Sequence, residues 1–277
     1  MTPGVFARTY AAKYPGDLFA QIKRDGFSAV QFNLSSAGLA SLPAALPPGI
    51  GEMIAKGASV AGVTICALSG TYNMAHPDAE HRKQDRVGFE NVLKAARDMG
   101  VSLVTLCTGS RDAANMWHAH PENSSKEAWS ALRDELDFAL TAAERYGLYL
   151  GVEPEPGNVI ANAVVARKLL DEVGTRRLGI VLDAANLLPR ELQSRQREVV
   201  AQATDLLGEH LLLVHTKDVD SAGANVPAGK GAVDLPAFVA SVKAVGYEGP
   251  LVGHNFEESE APYVASYISG LIRGCTS

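Results

Sequence analysis

Residues 148–183, LYLGVEPEPGNVIANAVVARKLLDEVGTRRLGIVLD, hold two near-continuous apolar runs, LYLGVE and LGIVLD, each ending on a carboxylate. Between them a helical pattern over 161–173 stops at Gly174. Strands buried on both faces read as unbroken apolar runs, because a parallel sheet is covered by helices on either side. The stretch therefore reads as strand, helix, strand, with Glu153 and Asp183 at the C-terminal ends of adjacent strands.

The alternation continues outward in both directions. Strands are expected at about 4–8, 29–34, 63–69, 102–107, 148–153, 178–183, 211–216 and 250–255, from runs such as AVQFN, VTICALS, SLVTLC, LLLVHT and PLVGHN. Helical patterns fill 82–99, 126–146, 161–173, 190–208, 235–245 and 260–272. The first of these places Val87, Val92, Leu93 and Ala96 on one face before Gly100. The second presents Leu132, Leu136, Phe138 and Leu140, with Ser124 or Ser125 as N-cap and Gly147 as stop. The opening strand, GVFART, is short and poorly bounded, and SLPAALPPGI (41–50) reads as a loop ahead of the second helix. Eight strand–helix pairs without a break in composition imply one (β/α)8 TIM-barrel domain over residues 1–277, since such barrels take about 250 residues. An open doubly wound sheet would need a Gly-rich phosphate turn after an early strand, and no GxGxxG occurs there.

Composition narrows the function. Hydrophobic residues make up 47% of the chain and charged residues 20%, which suffices for an ample core. A net charge of -6 and a pI near 5.7 argue against a nucleic-acid surface, which shows itself as clustered Lys and Arg. Cys66, Cys107 and Cys275 form no CxxC pair, so neither a zinc knuckle nor a disulfide framework is indicated. The first two fall in apolar runs, where a thiol serves as a small core residue. The N-terminus lacks the apolar stretch of a signal peptide, and no run approaches the roughly 18 apolar residues of a membrane span. A reducing cytoplasm is the expected setting.

In a barrel of this kind the chemistry sits at the C-terminal strand ends. Those ends supply Asn33, Ser69 to Asn73, Cys107 to Arg111, Glu153, Asp183, His215 and His254. The last four come from strands five to eight, and two carboxylates with one or two imidazoles make a site for one divalent ion, Mn²⁺, Mg²⁺, Co²⁺ or Zn²⁺. Each residue also has a plainer reading: Glu153 as a rim carboxylate paired with Arg or Lys, Asp183 as a helix N-cap, His215 as a satisfied core histidine. Their company on one barrel edge favours the ligand role.

GVEPEPGN, LGIVLDAANLL, LLLVHTKDVD and GKGAVDLPAFVASVKAVGYEGPLVGHN carry a family resemblance. They resemble the strand-five Glu, strand-six D-x-x-H, strand-seven H-x-K-D and closing G-x-G-x-hydrophobic-D…G-Y-x-G-P segments of the xylose isomerase-like TIM-barrel superfamily. That sugar phosphate isomerase/epimerase group also contains inosose dehydratase, keto-sugar 3-epimerases and endonuclease IV. The resemblance covers nearly the whole chain and implies Glu153, Asp183 and His215 as metal ligands. His254 stands where most members have a fourth, glutamate ligand, and Asn186 stands where D-x-x-H has its histidine.

In the keto-sugar epimerases of the group, two glutamates face each other across the substrate and move a proton next to a carbonyl. By resemblance this chain is a metal-dependent isomerase or epimerase of a keto-sugar or polyol, with Glu153, His254 and Lys217 as catalytic candidates. Replacement of the second glutamate raises the alternative of a dehydratase or lyase of a keto-sugar, keto-glycoside or inosose, with Lys217, Asp218 or His254 as the acid. His254 as a ligand would have no lone pair left for proton transfer. An AP-endonuclease-like enzyme and a non-catalytic sugar-binding relative are further readings.

Candidate substrate-binding residues are Asn73, His76, Arg111, Trp117, Asn158 and Asn186, with Arg111 the best anion anchor and Trp117 an apolar wall for a sugar face. His118 and His120 read as solvated loop histidines. Lys217 either orders the site or pairs with Asp218 or a neighbouring carboxylate, and Lys230 either closes over an anionic substrate or is solvated. The expected partner is a small sugar or polyol, with no nucleic acid and no membrane. Barrels of the group are often dimers or tetramers, so a homo-oligomer is a possible assembly, although no exposed stripe in the sequence decides it.

Overall fold

Short apolar strands that must bury both faces close on themselves and take a coat of helices. The structure, a computed structural model, describes residues 1–11 and 14–274; Cys275 lies outside the described residues. Eight parallel strands form the barrel: β1 (Thr2–Phe6), β2 (Ala29–Phe32), β3 (Thr64–Ser69), β4 (Leu103–Cys107), β5 (Tyr149–Glu153), β6 (Leu178–Asp183), β7 (Leu211–His215) and β10 (Pro250–Gly253). They hydrogen-bond in the closed order β1-β10-β7-β6-β5-β4-β3-β2. The remaining two strands, β8 (Asp218–Val219) and β9 (Asn225–Val226), make an antiparallel hairpin just after β7.

The surrounding helices are α1 (Pro15–Arg24), α2 (Ile50–Ala61), α3 (Ala79–Asp98), α4 (Lys126–Glu144), α5 (Ala163–Val173), α7 (Gln196–Leu207), α8 (Leu235–Ala244) and α9 (Ala261–Gly274), with a one-turn α6 (Ala184–Leu187) at the end of β6. The starts of α3, α4, α5 and α8 are set by short polar side chains that accept otherwise orphaned N–H groups. Asp78 caps Glu80, Ser125 caps Ala128, Asn162 caps Val165 and Asp234 caps Ala237.

Three local expectations are corrected. The first strand runs Thr2–Phe6 instead of 4–8, because Ala7–Thr9 already turn as a 3-10 segment. The pattern over 190–208 is a 3-10 segment, Arg190–Arg195, followed by α7. Val87 is exposed, whereas Phe89, Val92, Leu93 and Ala96 are fully buried. At about 100° per residue, Val87 stands roughly 140° around the helix from Val92, so Phe89 takes its place on the packed face.

Two environments follow from the two-residue period of the strands. Outward side chains such as Leu150, Val152, Ile180 and Leu182 join the main core against the helices, while Ala67, Leu103, Val181, Leu213 and Val252 form a separate apolar cluster inside the barrel. One inward step above that cluster the residues become polar: Gln31, Thr105, Glu153, Asp183 and His215, all buried. Register then decides neighbours. Cys107 lies opposite Glu153 and Asp183 lies opposite His215.

Candidate metal centre

Glu153, Asp183 and His215 are the last residues of β5, β6 and β7, and His254 directly follows β10. Each offers a ligand atom within 4.8 Å of the others', and all four are buried. His215 Nδ1 lies 3.1 Å from Glu153 Oε1, and His254 Nε2 lies 3.0 Å from Asp183 Oδ2. The two imidazoles tilt against each other with ring centroids 4.6 Å apart. The two oxygens of Asp183 have different partners. Its Oδ1 accepts the Ala185 N–H at 2.8 Å to cap α6, while Oδ2 faces the cluster.

Asn186 and Lys217 complete the wall. Asn186 Nδ2 donates to Glu153 Oε1 at 2.9 Å, and Lys217 Nζ donates to Asn186 Oδ1. Lys217 Nζ also lies 3.6 Å from Asp183 Oδ2, so its carboxylate partner is Asp183 and not Asp218. Asp218 instead accepts from the backbone N–H groups of Val219, Gly229, Gly231 and Val233, which ties down the loop after the β8–β9 hairpin.

Burial and mutual charge act against each other throughout. Burial raises Asp183, but Lys217 and the hydrogen bond from His254 hold its carboxyl well below the usual range. Burial likewise raises Glu153, and His215 with help from His254 brings it below its ordinary value. For His215 burial works downward and is outweighed by Glu153 and Asp183, which lift the imidazole above its ordinary value. His254 is left below its ordinary value, because burial outweighs the bond to Asp183. Lys217 loses charge stability on burial and regains more from Asp183, Glu155 and Glu153, so it stays above its normal value.

The donor set fits a divalent cation. Gln31 Oε1 lies 2.6 Å from His215 Nε2, and a neutral ring that donates to it there has its lone pair at Nδ1. That lone pair points at a carboxylate oxygen 3.1 Å away, an arrangement that needs a proton or a cation between the two acceptors. Two carboxylates and two imidazoles suit Zn²⁺, Co²⁺ or Mn²⁺, with oxygen-seeking Mg²⁺ the least favoured by the nitrogen donors.

The expected substrate-binding residues behave differently. Only Asn186 touches the cluster. Asn73 Oδ1 accepts the Ser110 N–H at 3.0 Å, and Asn158 bridges the Gly109 N–H at 2.8 Å and the Met116 carbonyl at 3.0 Å. Gly109 is left-handed (φ +72) and lies so close that a Cβ there would sit 2.1 Å from Asn73 Oδ1, so these amides organise the mouth loops. His76 accepts the Asp78 N–H at 3.1 Å and stacks on His81. Arg111 donates to the Ala75 carbonyl at 3.2 Å and lines an outer cleft of about 490 Å³ with Arg82, Lys126 and Asp134. Trp117 is half exposed. His118 approaches Asp112 at 3.4 Å, and His120 accepts the Glu122 N–H at 3.2 Å. Lys230 pairs with Glu260 at 2.9 Å, its ammonium 4.9 Å from the Tyr263 ring.

Two residues of the site were not singled out in the sequence. Glu155 joins Cys107 and Glu153 in a second grouping of donor atoms within 4.8 Å. Burial, then the charge on Glu153, pushes its carboxyl up to about 7 against the pull of Lys217. The acid between two prolines in PEPEP-like GVEPEPGN was the available signal. Gln31 is the other. An amide inside the apolar run AVQF was visible, but its partner on β7 was not.

The sequence profile described as a xylose isomerase-like TIM barrel matches residues 19–268. The chain belongs to this family. A search of curated protein sequences finds no match. Among solved structures, this xylose isomerase-like barrel is similar to a 3-keto-D-glucoside 4-epimerase, YcjR, from E. coli, with 19% identity and a TM-score of 0.75 over 99% of both chains. It is similar to a D-tagatose 3-epimerase-like protein, with 16% identity and a TM-score of 0.78 over 100% of this chain and 98% of that one. It is also similar to the IOLI protein, whose structure holds a zinc atom, with 17% identity and a TM-score of 0.74 over 99% and 98%. Against a xylose isomerase-like TIM barrel/4-hydroxyphenylpyruvate dioxygenase fusion protein, at 16% identity and a TM-score of 0.73, 96% of the chain covers 41% of the partner. At such identities the likeness is one of fold.

Proposed function

We propose that the protein is a divalent-metal-dependent isomerase or epimerase of a small keto-sugar or polyol, working in the cytoplasm. The observation that carries the reading is the two-sided setting of Glu153. Its Oε1 is held by Asn186 and faces His215, while among the described residues Oε2 has only the Cys107 thiol as a hydrogen-bond partner, at 3.9 Å. A carboxylate kept ionised and held at one oxygen presents the other as a base for a proton next to a carbonyl. A cation held by Glu153, Asp183, His215 and His254 would supply Lewis acidity to the substrate's carbonyl and hydroxyl oxygens. Lys217, fixed by Asp183 and Asn186, is the cationic donor within reach of an oxygen that gains negative charge. The free thiols among the described residues, Cys66 and Cys107, accord with a reducing compartment.

Glu155 favours a second reading, a dehydratase or lyase of a keto-sugar, keto-glycoside or inosose. Its carboxyl, pushed up to about 7, is about half protonated at neutral pH beside the base, which leaves a fraction able to act as acid for a leaving group. The experiment incubates the zinc- or manganese-loaded protein with a panel of free ketohexoses, 3-keto-glycosides and inososes in D₂O. Deuterium entering the carbon skeleton without new unsaturation supports epimerisation. An enone absorbing in the ultraviolet supports elimination. Neither product on any member, with metal bound, would sink both readings. His254→Glu sharpens the choice, since gained epimerase activity would identify the imidazole as what separates this chain from its relatives.

A further inference from the structure

We infer that Gln31 is a positioning residue that sets the tautomer and aim of His215, so that Nδ1 presents its lone pair to the centre. Gln31 sits in β2 and is 3% exposed, inside the barrel, with no solvent to satisfy its amide. Its two ends have separate partners. Nε2 donates to Thr105 Oγ1 on β4 at 3.1 Å, and Oε1 lies 2.6 Å from His215 Nε2 on β7, where as a carbonyl oxygen it can only accept.

β2 and β7 are not neighbours in the barrel; β1 and β10 stand between them. The contact therefore crosses the interior, and Thr105, Gln31, His215 and Glu153 stand in one line of polar contacts through β4, β2, β7 and β5. Nothing about β2 as a strand calls for an amide there, because its other three residues are Ala29, Val30 and Phe32. An imidazole that donates through Nε2 keeps Nδ1 free to coordinate, and such outer partners set ring orientation and ligand basicity. The tautomer stands on geometry alone; its consequence for affinity rests on the reading of the cluster as a metal centre.

The test uses the full chain as wild type, Gln31→Glu and Gln31→Leu. Long-range ¹⁵N–¹H spectra of the metal-free protein at pH 9, with His215 assigned by its loss in His215→Gln, report the tautomer directly. The expected pattern is a pyrrole-like Nε2 and a pyridine-like Nδ1. Zinc affinity is read by competition with a chromophoric chelator. Gln31→Leu is expected to weaken binding by about 10- to 100-fold, and Gln31→Glu, which keeps the acceptor, to stay within about threefold of wild type. A proton on Nδ1 in the wild-type spectrum overturns the inference, even if Gln31→Leu fails to fold. So does equal loss of affinity in both variants, or loss in neither. A wild-type chain with the expected tautomer but no zinc affinity would sink the metal reading and leave the tautomer assignment standing.

Discussion

The half of the barrel mouth built by β5, β6, β7 and β10 differs from the half built by β3 and β4 in what its polar side chains touch. On the first half Glu153, Asp183, His215 and His254 face one another and leave charge and lone pairs directed at a shared space. On the second half Asn73, His76, Arg111 and Asn158 face backbone N–H and C=O groups of residues 75–116. The reason is local. A strand-end side chain has its own backbone already satisfied by the ladder, so its polar atoms are free for neighbours across the barrel. A loop must settle its own backbone polar groups first, and the nearest Asn or Asp side chains are taken for that.

The largest expected effect tests the first half. Glu153→Gln keeps the volume and removes the base, so turnover of whichever sugar proves active should fall at least about 100-fold, with fold and melting temperature preserved. A variant that turned over at the wild-type rate would remove Glu153 from the chemistry. Next comes pH. Protons compete with metal for His215 Nδ1, and Glu153 lifts that imidazole above its ordinary value after burial has worked against it. Zinc affinity should therefore rise with pH by about tenfold per unit up to that raised value and then level off. Titration of the chelator competition from pH 6 to 9 measures it, and a flat profile would mean that His215 is not displaced from its proton by the ion.

The second half predicts loss of stability in place of loss of chemistry. Asn158→Ala strips partners from the buried Gly109 N–H and from the Met116 carbonyl, at a cost of about 1–3 kcal/mol in chemical denaturation. A raised KM with an unchanged denaturation midpoint would instead give Asn158 to the substrate and erase the contrast between the two halves. The smallest effect is expected at Lys230→Ala. Its pair with Glu260 is exposed on the lysine side, so stability should change by less than about 1 kcal/mol. A large fall in turnover there would revive closure of the lysine over an anionic substrate.

Much of the candidate metal centre was legible because strand periodicity is a one-dimensional signal. Glu153, Asp183 and His215 each terminate an apolar run, and a closed parallel barrel brings such ends to one rim whatever the loops do. Glu155 was harder to see, since an acid flanked by prolines in a loop has no period to place it. Asn73 and Asn158 were legible as polar mouth residues but not as loop braces, because the amides meet carbonyls and N–H groups 37 to 49 residues away. Val87 misled for the opposite reason: an apolar residue at the margin of a helical pattern was counted into a face that Phe89 occupies.

By itself, then, the chain determined the barrel, the order of its strands and which residues stand at their C-terminal ends, since alternation and burial act through neighbours in sequence. Only the tertiary structure decided that Gln31 reaches across the interior to His215, that Asn186 and Lys217 brace Glu153 and Asp183, and that Asp218 holds a loop. Those outcomes depend on the closure of the barrel and the register of non-adjacent strands, and distances across a closed sheet are not written in any local run of residues.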